Sequence, residues 1–186
     1  MATAKKSTAK KPAATARAAK TDATVLLQRD HADVKKLFKQ YEKLADAEAD
    51  GEERQALATQ ICQMLTVHAT IEEEIFYPAA RAAIDETDLV DEADVEHATA
   101  KDLIAQLEAS SPEDDDHFDA KVKVLGEYVR HHVKEEQDEL FPKLRRTALD
   151  MVVLGERMAA RKHELAALFA NPAATEDAMR RFIPIV

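Results

Sequence analysis

His68-Ala69-Thr70-Ile71-Glu72-Glu73-Glu74-Ile75-Phe76-Tyr77-Pro78 returns later in the chain as His132-Val133-Lys134-Glu135-Glu136-Gln137-Asp138-Glu139-Leu140-Phe141-Pro142. In both copies Glu follows His by four positions and Pro follows His by ten. A spacing of four puts His and Glu on one helix face, a turn apart. Apolar residues extend that face in steps of three and four: Ile61, Leu65, His68, Glu72 and Ile75 in one copy. In the other they are Phe118, Val122, Leu125, Val129, His132, Glu136 and Leu140. Both runs are therefore amphipathic helices. Each meets a proline, which predicts helix ends at Pro78 and Pro142.

Upstream of each copy lies a partner helix. Leu27, His31, Val34, Phe38 and Tyr41 make one stripe, and Val90, His97, Ala100, Ile104 and Leu107 the other. These also match, as Asp30-His31-Ala32 with Lys35 and Leu37 against Glu96-His97-Ala98 with Lys101 and Leu103. The single histidines are offset by 66 residues and the paired ones by 64. Two helical hairpins thus carry the same polar insertions, which predicts a pseudo-twofold site between them. Breaks fall at Asp46–Gly51 and Ser110–Pro112, and the acids Glu113–Asp116 suit the N-terminus of the fourth helix. Four antiparallel helices with short connections form an up-down-up-down bundle. A fifth helix is expected near Ala148–Phe169, stopped by Asn171-Pro172.

Composition agrees. The chain has 186 residues, enough for one domain with a real core. Ala supplies 35 of them and Gly only 3, which favours an all-α protein over a turn-rich β-sandwich or barrel. No apolar run approaches membrane-spanning length. The single Cys62 excludes an intramolecular disulfide framework and any cysteine-based metal cluster, and a cytoplasmic setting is the simplest reading.

Charge divides the chain. Residues 1–21 hold six basic side chains and no acid, so the remainder of a chain of net charge −10 carries −16. This first stretch has no large apolar residue and is expected to be a disordered tail, able at most to contact nucleic acid or another polyanion. The expected division is a basic tail at 1–24, the bundle at 25–145 and a C-terminal helical extension at 146–186.

On the face that should be buried, His31, His68, Glu72, His97, His132 and Glu136 interrupt the apolar stripes. A buried ionised carboxylate is costly unless it is paired or binds metal. Counted from the turns, the four histidines reach one level of the bundle. Four imidazoles and two carboxylates suit Fe, Mn or Zn better than Ca or Mg. Two symmetric halves suggest two metals, each with two His, bridged by the two Glu. His117, His131 and His163 have no repeat partner and are expected on the surface. Glu73 and His131 are expected to be dispensable for metal. Cys62 and Gly126 hold equivalent positions where small residues let helices approach. Phe76, Tyr77, Leu140 and Phe141 are expected to line or cap the bundle near the metals.

Over about residues 25–145 these motifs resemble the haemerythrin-like, HHE cation-binding family. The resemblance implies a four-helix bundle holding two Fe ions as an oxo- or hydroxo-bridged, non-haem di-iron centre. His31, His68, His97 and His132 would be terminal ligands, with Glu72 and Glu136 as bridges. Oxygen-carrying haemerythrins have a fifth His where this chain has Lys101, and a bridging Asp where it has Gln137. The four-His, two-Glu set is more similar to di-iron repair proteins, whose Cys-containing N-terminal domain is lacking here. The resemblance thus implies binding or sensing of O2, NO or peroxide, or holding of iron. The alternative is an enzyme that detoxifies peroxide or repairs iron centres. Lys101 either leaves a coordination position open or projects outward as part of the solvated face.

Overall fold

A computed structural model describes residues 21–170. The basic tail before Thr21 and the C-terminal Ile183–Val186 segment lie outside the described residues. Among the described residues every regular element is helical. Helix α1 spans Ala23–Asp46, and its N-terminus is capped by the Asp22 carboxylate, which accepts the Thr24 and Val25 amides. Helix α2 spans Gly51–Ile71, continues as a π-helical turn over Glu72–Phe76, and resumes as α3, Tyr77–Ala83. Helix α4 spans Asp88–Glu108. Helix α5, Phe118–Glu135, runs through a second π turn, Glu136–Leu140, into α6, Phe141–Leu144. Helix α7 spans Met151–Phe169. The result is the expected four-helix bundle with an additional C-terminal helix.

The prolines do not end their helices. In each hairpin the turn before Pro widens, so that Tyr77 N–H bonds to the Glu72 carbonyl and Phe141 N–H to the Glu136 carbonyl. Each Pro then occupies the second position of a new α segment, where a missing N–H costs little. The wide turn also relieves the clash a proline ring makes with the preceding carbonyls. The acids at 113–116 sit just before the N-terminus of α5. There the Asp115 carboxylate accepts the His117 amide and pairs with Lys121, and only Asp119 lies in the first helical turn.

The core is in two parts. One apolar cluster joins Leu27, Ile71, Phe76, Tyr77, Val90, Leu140, Phe141 and Leu144. The other joins Val34, Ile61, Cys62, Leu65, Ile104, Leu107, Phe118 and Leu125. Along every bundle helix the buried His lies between residues of the two clusters, so a single polar layer crosses the bundle. Burial pushes the Cys62 thiol up to about 12, consistent with packing. At Gly126 a Cβ would sit 3.0 Å from Phe38, so the missing side chain brings α1 and α5 together.

Helix α7 is more than an appendage. Leu154, Met158 and Leu165 join the first cluster. Gly155 passes so near the start of α1 that a Cβ would fall 2.1 Å from the Thr21 carbonyl oxygen. Arg161 pairs with Glu74 and Lys162 with Asp30, tying α7 to the polar layer.

Candidate metal centre

All six residues singled out from the sequence meet in that layer, each buried. Their inward atoms are closely spaced. His31 Nε2 lies 3.1 Å from His68 Nε2, and His97 Nε2 lies 3.3 Å from His132 Nε2. Each hairpin thus contributes one imidazole pair. The carboxylates cross between hairpins. Glu72 Oε2 is 3.2 Å from His68 Nε2 and 3.5 Å from His97 Nε2. Glu136 Oε2 is 3.3 Å from His31 Nε2 and 3.8 Å from His132 Nε2.

This donor set fits cations. Donors about 2.1 Å from one ion stand roughly 3.0–3.4 Å apart in octahedral or tetrahedral positions, close to most of the separations found. Both oxygens of Glu72 and Oε2 of Glu136 are buried without a hydrogen-bond donor. Such atoms are costly unless something positive faces them. Burial, with Glu136 nearby, pushes the Glu72 carboxyl well above the usual carboxylate range. Burial opposes ionisation of Glu136 too, but the His31 contact and the charge of His132 hold it low. Burial lowers His68 to about 4 and also lowers His97, which keeps those rings neutral as metal ligation requires.

The outward ring nitrogens have their own partners. His68 Nδ1 faces Asp30 at 3.5 Å, and His132 Nδ1 donates to Glu96 at 2.8 Å. His97 Nδ1 donates to Glu73 at 2.9 Å. His31 Nδ1 instead accepts from the Gln137 amide at 2.8 Å. Asp30 and Glu73 are each drawn below the usual carboxylate range. Burial raises them, but the His68 and Lys162 contacts outweigh it for Asp30, and the His97 and Lys101 contacts for Glu73. Burial would also lower His132, yet the Glu96 bond and the Glu136 charge leave it raised.

Sequence reasoning gave these outer partners no task. The available signal was their recurrence: Asp30 and Glu96 each precede a buried His, while Glu73 and Gln137 each follow a buried Glu. Their action is across helices, which sequence adjacency conceals. Of the two readings of Lys101, free projection into solvent does not hold: it donates to Glu73 Oε2 at 2.5 Å, so it neutralises the carboxylate that orients His97.

Tyr77 goes beyond lining the bundle end. Its hydroxyl donates to Glu136 Oε1 at 3.1 Å and lies 3.3 Å from His97 Nε2. Phe141 stacks on His31 with ring centroids 6.1 Å apart. His117, His131 and His163 are exposed, as expected. A cavity of about 40 Å³ lies against the four buried imidazoles, with Val34, Leu65, Ala100, Ile104 and Val129 among its apolar walls.

Residues 22–144 match the family described as Hemerythrin HHE cation binding domain. The fold is similar to a crystal structure of a hemerythrin HHE cation binding domain-containing protein from Mycobacterium kansasii. That similarity has a TM-score of 0.63 and 26% identity, over 78% of this chain and 87% of that one. The sequence is also 32% identical, over 120 residues, to a DNA nickase of Nostoc sp.. That alignment takes in 64% of this chain but 32% of the relative, so the chain spans about a third of the relative's length.

Proposed function

From the premise that this chain belongs to the hemerythrin HHE cation-binding family, we propose that it is a non-haem di-iron protein that binds O2, NO or peroxide. One observation carries the reading: six buried donors stand at ion-sharing distances, with unpartnered carboxylate oxygens, and their four imidazoles line a small, mostly apolar cavity. His31 and His68 would hold one iron and His97 and His132 the other, with Glu72 and Glu136 spanning both. Bound there, the metal pair supplies open coordination positions and redox steps that protein side chains lack.

The protein's own part is selection and shielding. One water needs roughly 10–15 Å³ of such space, so a cavity of about 40 Å³ admits a diatomic molecule or peroxide and little more. Its walls are mostly apolar, which disfavours water there. Asp30, Glu73 and Glu96 fix ring orientation, and Lys101 and Lys162 balance two of those charges. Peroxide turnover is a second reading, favoured by the Tyr77 hydroxyl, an O–H donor held on Glu136 inside the layer. A contact between residues 1–21 and a polyanion belongs to the same proposal; their six cations, and the name of the Nostoc relative, support it.

The test is metal analysis and an optical spectrum of the purified chain, before and after peroxide and NO. The expected result is about two iron ions per chain and a spectrum that responds to at least one ligand. Stoichiometric zinc with no iron, from iron-replete cells, would refute the reading.

A further inference from the structure

Asp30 and Glu96 are repeat equivalents, and each holds the outward nitrogen of an inner histidine through one oxygen. At Asp30 the other oxygen is taken by the Lys162 ammonium. At Glu96 no lysine or arginine takes that place among the described residues. Glu96 Oε1 instead faces His131 Nε2 at 3.6 Å, and His131 Nε2 lies 3.3 Å from Glu135 Oε1. His131 and Glu135 are four residues apart on α5, so both side chains leave one helix face toward Glu96 on α4.

We propose that Glu96, His131 and Glu135 form an outer site for a divalent transition cation, from which the inner centre is loaded. The distances argue for an ion between the groups. Charge-assisted hydrogen bonds run near 2.7–2.9 Å, and a separation of 3.6 Å is not a hydrogen bond at all. Ligands sharing one ion at about 2.1 Å stand roughly 3.0–3.4 Å apart, so the His131 nitrogen is within a few tenths of an ångström of that separation from each carboxylate, and all three ligand atoms lie within 4.8 Å of one another. One imidazole and two carboxylates suit Fe, Mn or Zn. Their charge of −2 with His neutral matches one such ion.

The surroundings agree. The site opens into a surface cleft that Asp88, Asp91 and Glu92 also line. Arg81 covers Asp91, whereas Asp88 and Glu92 have no ion pair among the described residues. The cleft therefore concentrates cations beside His131, which is 63% exposed. Glu96 is the link inward: its carboxylate touches both the outer His131 and the inner His132. The loading role rests on the inner metal centre proposed above; the outer binding does not.

The test uses the full chain, with the inner centre loaded with iron, titrated with Zn2+ in a calorimeter. One further Zn2+ per chain is expected. His131→Ala and Glu135→Gln should each weaken it by about tenfold or more, while His117→Ala should leave it intact. His117 and His131 are exposed and Glu135 is half-buried, and the Glu135→Gln change keeps the side chain's size, so folding is not at stake. Zinc uptake that is absent, or equal in the wild type and His131→Ala, would overturn the site. In a second arm, metal-free chain receives limiting Fe2+. The initial loading rate should fall severalfold in His131→Ala and Glu135→Gln, with the same final iron content. Equal rates would overturn the loading role. If no variant takes up inner iron, the di-iron reading fails, and the zinc difference measured on the metal-free chain still decides the outer site.

Discussion

The two hairpins agree on the inside and differ on the outside. Inside, each offers two imidazoles and one carboxylate, in the same register and with the same π turn. Outside, the equivalents have diverged. Glu73 accepts from His97 Nδ1 and is balanced by Lys101. Its counterpart Gln137 is a neutral amide, and no acid faces Lys35, the counterpart of Lys101, among the described residues. The second oxygen of Asp30 is served by Lys162 from α7, whereas among the described residues that of Glu96 faces His131. The inner donors must satisfy both ions at once, so repeat symmetry is preserved there. Outer partners can be exchanged singly, and they make the two halves chemically unequal.

That inequality sets one ring apart. Three rings face carboxylate acceptors at Nδ1, which leaves Nε2 free for an ion. His31 has a neutral amide, Gln137, at that position instead.

The inner symmetry is broken most severely by removing a shared carboxylate. Glu72→Ala and Glu136→Ala should each take iron from about two ions per chain to near none, by metal analysis. If either variant keeps one ion firmly, the halves are independent and the comparison of matched hairpins is wrong. The outer inequality comes next. Glu73→Ala should weaken the His97–His132 ion by about 10–100-fold in chelator competition, and Gln137→Ala should weaken the other ion by less. Gln137→Glu should make the halves more alike by recruiting Lys35, narrowing the gap between the two affinities. The support from α7 to the first hairpin is tested by Gly155→Ala. Its new methyl would meet the Thr21 backbone at 2.1 Å. Overpacking of this kind costs about 1–3 kcal/mol, read as a lower Tm. The smallest effect is expected from deleting residues 1–20. Metal content and helicity should not change, and only retention on DNA at low salt should fall.

The bundle and the six inner residues were legible because they obey short rules. Stripes at three and four residues make helices, and the repeat selects His132 and Glu136 over the neighbouring His131 and Glu135. The outer ring was not legible, because Asp30 acts on His68 and Glu96 on His132, across helices whose facing depends on packing. The partner of Lys101 was hidden for the same reason: Glu73 lies on another helix. The prolines misled because local sequence marks the loss of an N–H but not the widened turn that accommodates it.

That widened turn also keeps a phase. An α-helix advances about 100° per residue, so a residue added to a plain α-helix reorients everything beyond it, whereas a turn that closes over five residues instead of four absorbs the addition. Tyr77 and Phe141, each bonded back over five residues to a core glutamate, keep their aim by that count. Deleting one residue from 73–75 should let a plain α-helix form, with Tyr77 bonded back over four residues and its hydroxyl still toward Glu136. In this fold a single-residue insertion or deletion is thus absorbed at these turns and felt elsewhere, where it changes which way a helix looks rather than what it is made of.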